Sequence, residues 1–123
     1  MTKPSLALGK HTFVDLYECN KDLLNNIKAL EELMLEAAKI AKATIIKSHF
    51  HQFSPQGISG SVIIAESHFN IHSWPEFGYA AVDLFTCGDT IDEAIATELL
   101  VRKLESGRHE VKTIQRGLIP NPV

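Results

Sequence analysis

Residues 65–88 read Ala-Glu-Ser-His-Phe-Asn-Ile-His-Ser-Trp-Pro-Glu-Phe-Gly-Tyr-Ala-Ala-Val-Asp-Leu-Phe-Thr-Cys-Gly. A serine behind a glutamate, two histidines, the only tryptophan, further carboxylates and a cysteine fall in one short stretch. Three chemistries use such groups. In the first, His49 and His51, alternate residues of a strand, join Cys87 around a metal ion; no familiar zinc signature accompanies them. In the second, Ser67 is a nucleophile with His72 as base and Asp83 as its orienter, although the Gly-x-Ser-x-Gly turn of the α/β hydrolases is absent. In the third, Ser67 attacks the carbonyl of Glu66. The resulting ester eliminates to dehydroalanine, which hydrolyses to a pyruvoyl group and ammonia. That ketone forms a Schiff base with a substrate amine and draws electrons during decarboxylation, as pyridoxal phosphate does elsewhere. His72 and Cys87 are suitable proton carriers for this scheme, and Ser59 is a suitable hydrogen-bond donor. Residue types alone leave all three open.

The flanking sequence supplies the elements that must hold these groups. His11–Glu18 alternates as a strand after a loose start ended by Gly9. Asn20 or Asp22 caps a helix whose stripe is Leu23, Ile27, Leu30, Met34, Ala37 and Ala41. Thr44–Phe53 forms a second strand, with Ile46, Ser48 and Phe50 on one face and His49, His51 and Phe53 on the other. After the Ser54-Pro55-Gln56-Gly57 turn come strands at Ser61–Ala65 and His68–Ser73. Trp74–Gly78 turns the chain into a largely apolar strand, Tyr79–Phe85, expected to be buried on nearly both faces. Thr90 and Glu93 have capping-box spacing before a helix to about Leu104, closed by Gly107. Glu110–Arg116 is a last strand, and Pro120 and Pro122 exclude a helical tail. This order predicts an α+β two-layer domain, with two helices on one face of a mostly antiparallel sheet. If the other face is apolar, a second copy of the chain covers it, giving an αββα sandwich across a dimer.

The chain of 123 residues has the size of one domain, residues 1–123, with 45% hydrophobic and 22% charged residues, enough to build a packed core. Its net charge of −3 and its lack of a basic run argue against a nucleic-acid partner. It has no apolar stretch of membrane-spanning length and no signal-peptide pattern at its start. Cys19 and Cys87 are too far apart for a metal or redox pair such as Cys-x-x-Cys, and the reading is two reduced thiols in a cytoplasmic protein.

Three blocks, Ala65–His68, Ile71–Glu76 and Gly78–Gly88, resemble the small prokaryotic S-adenosylmethionine decarboxylases. So do Gly9-Lys10-His11, Tyr17-Glu18-Cys19 and the segment from Phe53 through Pro55 to Gly57-Ile58-Ser59-Gly60. Departures are mild: Ser73 stands where threonine is frequent and Lys10 where arginine is common. The resemblance implies self-cleavage between Glu66 and Ser67 into residues 1–66 (beta chain) and 67–123 (alpha chain). Ser67 would become the pyruvoyl group, without pyridoxal phosphate or metal. Ser59 and His72 would assist processing, and Cys87 would be the proton donor. Phe53 would stack on adenine and Glu76 would hold the ribose hydroxyls. The implied activity is decarboxylation of S-adenosylmethionine for spermidine synthesis by a homodimer with active sites at its interface. The alternatives are arginine or ornithine decarboxylation on the same scaffold, or a non-catalytic homologue that binds a ligand or partner subunit. Taken singly, Phe53 is equally a core aromatic, Glu76 a solvated turn residue, His72 a satisfied strand histidine and Cys87 an inert thiol.

Overall fold

Alternation of apolar and polar residues builds a single antiparallel sheet with one dry face. The computed structural model describes residues 5–120. Its elements are β1 (Ser5–Tyr17), α1 (Lys21–Leu24), α2 (Ile27–Ile40), β2 (Ile45–Gln52), β3 (Ile58–Ile64), β4 (Ser67–Trp74), a 3₁₀ turn (Pro75–Phe77), β5 (Tyr79–Thr86), α3 (Glu93–Lys103) and β6 (Arg108–Pro120). The six strands lie in the order β2-β3-β4-β5-β1-β6, each antiparallel to its neighbour. Val14 and Leu16, Ile58 and Val62, Phe69 and Ile71, and Val82 and Leu84 project from the four central strands into the core. Leu30, Leu33, Met34 and Ala37 of α2 and Ala96, Leu99 and Leu100 of α3 close over them. At about 1.5–3 kcal/mol for each large side chain buried, this layer is the main force holding the sheet in register.

Several boundaries differ from those read in the sequence, for local reasons. The stripe from Leu23 to Ala41 is not one helix. Asn20 caps α1, accepting from the Leu23 amide, and Asn26 caps α2, accepting from the Ala29 amide. Two caps six residues apart start two helices, the first a single turn. The spacing of Thr90 and Glu93 does not make a capping box. Asp92 caps α3 by accepting from Ile95, and Glu93 turns to the sheet, where Thr86 Oγ1 donates to it at 2.9 Å and Lys10 Nζ pairs with it at 3.2 Å. Strand β5 alternates strictly between buried and half-buried residues, so only one of its faces is dry. Gly9 lies inside β1, and β6 runs to Pro120; Pro122 lies outside the described residues.

Candidate active site

The turn between β3 and β4 consists of Ala65 and Glu66, and Ser67 begins β4, paired with Ile64 on one side and Thr86 on the other. Ser67 has φ +140°, a value that residues with a side chain rarely adopt. In an L-residue, Cβ lies about 120° around the N–Cα bond from the carbonyl carbon. A φ of 140° therefore leaves Cβ of Ser67 about 20° from eclipsing the carbonyl carbon of Glu66. Ordinary strand φ values hold those atoms apart, whereas the near-eclipsed arrangement is what a five-membered ring through Oγ requires. The Glu66 carbonyl oxygen also accepts a hydrogen bond from the Cys87 amide at 2.9 Å. That donor sits where negative charge would develop if a hydroxyl attacked this carbonyl.

The same turn is gripped from β2. The Glu66 carboxylate accepts from the Thr44 amide at 3.1 Å and from the Thr44 hydroxyl at 3.2 Å, and the Ala65 amide donates to the Thr44 carbonyl at 2.8 Å. The Thr44 amide is the chief reason the Glu66 carboxyl is held below its ordinary range. Cys87, just past the end of β5, presents an exposed free thiol beside this turn.

The remaining sequence candidates gather at the opposite end of β4. Ser59 and His72 are direct cross-strand partners on the face away from the helices. The His72 ring lies 4.2 Å from Trp74 and 5.8 Å from Phe53, centroid to centroid. Phe53, His72, Trp74 and Glu76 line a shallow cavity of about 260 Å³. Five residues of extended chain separate Ser67 from His72, roughly 17 Å along the strand. A single chain therefore brings Ser67 together with Cys87, and Ser59 with His72, Phe53 and Glu76, but it does not join the two groups. A larger cavity of about 430 Å³ lies between α3 and β6 and contains neither group.

The helix-free face between these groups is polar and aromatic, and it contradicts two of the three chemistries. Asp83 does not orient His72, whose partner on β5 is Ala81. Instead Asp83 accepts from His11 Nε2 at 2.8 Å and from Asn70 at 3.3 Å, with His68 Nε2 at 3.8 Å. His49 and His51 belong to no grouping with metal-ligand spacing among the described residues; His11, His68 and Asp83 do. Arg116 Nη1 lies 3.1 Å from His11 Nδ1. Because arginine only donates, a neutral His11 in this arrangement carries its proton on Nε2 and directs it to Asp83. Ser61 donates to Asn70 at 2.7 Å, and the bonded chain Arg116–His11–Asp83–Asn70–Ser61 spans five strands.

Sequence reasoning missed this network and the role of Thr44. The period-two runs His11, Phe13, Asp15, Tyr17 and His68, Asn70, His72, Trp74 carried the signal for the first. Nothing local marked the second.

A profile of the S-adenosylmethionine decarboxylase family matches residues 10–117. Three relatives bear the name S-adenosylmethionine decarboxylase proenzyme. One from Pseudomonas aeruginosa is 54% identical, over 94% of this chain and 72% of its own. One from Thermosipho melanesiensis is 50% identical, over 90% and 85%, and one from Caldicellulosiruptor saccharolyticus is 46% identical, over 95% and 94%. The crystal structure of the adenosylmethionine decarboxylase from Aquifex aeolicus VF5 superimposes with a TM-score of 0.87 at 37% identity, covering 95% of this chain and 97% of that one.

Proposed function

The chain belongs to the S-adenosylmethionine decarboxylase family, and from that premise we propose how its own residues carry out the work. It is a carboxy-lyase that decarboxylates S-adenosylmethionine for polyamine synthesis, and it is made as a proenzyme with a pyruvoyl prosthetic group. The observation that carries the assignment of the processing bond is the φ of +140° at Ser67, beside a carbonyl already bonded to the Cys87 amide. Ser67 Oγ adds to the Glu66 carbonyl carbon, and the oxyanion is stabilised by the Cys87 amide. Collapse breaks the C–N bond and leaves an ester with a free Ser67 amine. Removal of the Ser67 α-proton breaks its Cβ–Oγ bond and expels the main-chain carboxylate of residue 66, leaving dehydroalanine at residue 67. Loss of ammonia through addition of water then leaves a ketone at residue 67 and a chain cut into residues 1–66 and 67–123. These residues suit that group: the strained serine is its source, and the exposed Cys87 thiol beside it is a proton source of the required type.

The pyruvoyl group supplies the electron sink for loss of carbon dioxide. The chain's own residues do the rest. Cys87 returns a proton to the substrate carbon. Phe53, exposed at the rim of the cavity, stacks on the adenine, and Glu76 holds the ribose hydroxyls. The neighbouring aromatic faces of Trp74 and Phe77 suit the sulfonium. Ser59 and His72 assist processing.

Because one chain holds Ser67 and His72 roughly 17 Å apart, we propose that the complete site forms between two copies. Two sheets packed face to face by a two-fold axis, with strands antiparallel, would lay the Ser67 end of one β4 over the His72 end of the other. The helix-free face with its half-buried histidines, Trp74 and two tyrosines is the surface such packing would cover. No helix of the described residues is long and apolar enough to cross a membrane. Two free thiols suit a reducing compartment, and on that ground we assign the enzyme to the cytoplasm.

An intact-mass spectrum tests the central step. Wild-type protein should appear as residues 1–66 and 67–123, the second carrying a ketone in place of its amino end. Ser67→Ala should remain one chain of 123 residues without decarboxylase activity. A wild-type sample that stays whole while releasing carbon dioxide from S-adenosylmethionine would remove Ser67 from the mechanism.

A further inference from the structure

We propose that Thr44 and the Glu66 carboxylate form a clamp that holds the Glu66–Ser67 peptide in the geometry from which it cleaves, an inference that rests on reading that bond as the processing site. Thr44 precedes β2, outside the β3–β4 hairpin that contains the turn. Both of its donors, backbone amide and hydroxyl, converge on the two oxygens of one carboxylate at 3.1 and 3.2 Å, while its carbonyl receives the Ala65 amide at 2.8 Å. A two-residue hairpin turn needs no such attachment to close.

The attachment does act on the peptide plane. From the β2 side, Thr44 fixes the side chain and hence the Cα of Glu66. From the β5 side, the Cys87 amide fixes the Glu66 carbonyl at 2.9 Å. With both held, the plane of the Glu66–Ser67 peptide cannot rotate. Ser67 is meanwhile bound into the β4 ladder against Ile64 and Thr86. The torsion left to absorb the mismatch is φ of Ser67, and it stands at +140°. Releasing either hold lets the plane turn and φ relax toward ordinary strand values, which carries Oγ away from the carbonyl carbon. The register shift between Ile45 and Lys47, where β2 carries an extra residue against β3, is the local irregularity next to Thr44; bulges re-aim neighbouring groups in this way. Thr44 is thus a positioning residue: it touches no reacting atom and acts through Glu66.

Cell-free synthesis of the full chain, sampled over time by intact mass, tests the clamp. Thr44→Val keeps the amide and the shape but removes the hydroxyl, and it should slow appearance of the 67–123 piece about fivefold to tenfold. Thr44→Ser should restore the wild-type rate, and Glu66→Ala should slow cutting further than Thr44→Val. Circular dichroism checks that the variants share the wild-type fold, which the exposure of Thr44 favours. Cutting of Thr44→Val at the wild-type rate, or of Thr44→Ser as slowly as Thr44→Val, would overturn the clamp. A wild-type chain that never cuts would instead overturn the processing reading beneath it.

Discussion

At Cys87 we propose separate tasks for two atoms of one residue. The amide nitrogen bonds the Glu66 carbonyl, where it would serve the cutting step, and the thiol of the same residue is exposed, where it would serve the decarboxylation step. Replacing the side chain leaves the amide in place. Cys87→Ala is therefore expected to cut into its two pieces on close to the wild-type time course while its decarboxylation of S-adenosylmethionine falls by about 10²-fold or more; parallel mass spectra and carbon dioxide release measure the two separately. A variant that failed to cut would show that the thiol is needed in processing as well. The candidates Ser67, Cys87, His72, Glu76 and Phe53 could be picked out of the chain because the blocks that contain them resemble a family. The φ of Ser67 and the grip of Thr44 were not. Both arise from groups far apart in sequence, several of them backbone donors and acceptors, which leave no mark on residue type.

At the scale of elements, β4 spaces the site, carrying Ser67 at its start and His72, Trp74 and then Glu76 at and beyond its far end. Its neighbour β3 holds Ser59 opposite His72, between Ile58 and Gly60. Gly60 is required by a close approach: the Phe50 ring of β2 lies across it, and a Cβ there would fall 2.1–2.6 Å from three ring atoms. Gly60→Ala should cost about 1–3 kcal/mol in urea unfolding, because the ring must leave its place over β3, and a variant as stable as wild type would show that Phe50 repacks freely. On the opposite face, Tyr79 donates to Asp15, and burial, reinforced by that carboxylate, pushes its hydroxyl above the ordinary value of 10.0. The neutral form is the one the fold prefers, so this contribution is complete below pH 10 and is lost as pH rises toward the folded value. Most strands were readable from period-two alternation, but not every face: β5 is dry on one side only, and the irregularity between Ile45 and Lys47 leaves Ile46 exposed rather than on the half-buried side of Ser48 and Phe50. The break between α1 and α2 was hidden because the apolar stripe continues through Asn25 and Asn26, and only the cap bonds show where one helix stops.

For the whole molecule, the separation of the two residue groups makes a definite demand on assembly. If each site takes Cys87 from one chain and Glu76 from its two-fold partner, then Cys87→Ala and Glu76→Ala homodimers are both impaired, yet a hybrid dimer regains one native site. Co-expression of the two variants should recover about a quarter of the wild-type sites when subunits mix at random. Recovery no greater than that of the separate variants would place a complete site within one chain and remove the reason for face-to-face packing. The bare sheet face could be anticipated from two helices and one sheet. Its cross-strand network could not, since Arg116 and His11 meet only through the pairing of the first and last strands.

If the chain is cut between Glu66 and Ser67, as we propose, the strand order has a consequence for its later life. Residues 1–66 supply β1, β2 and β3, and residues 67–123 supply β4, β5 and β6, yet in space the order is β2-β3-β4-β5-β1-β6. The two pieces are thus shuffled together like cards, and the β3–β4, β5–β1 and β1–β6 ladders hold them without a covalent link. Such a cut would turn a polypeptide that can find its shape alone into two that must find each other. The uncut chain carries its own folding instructions; the cut one would have spent them, and its unfolding should be close to a one-way event.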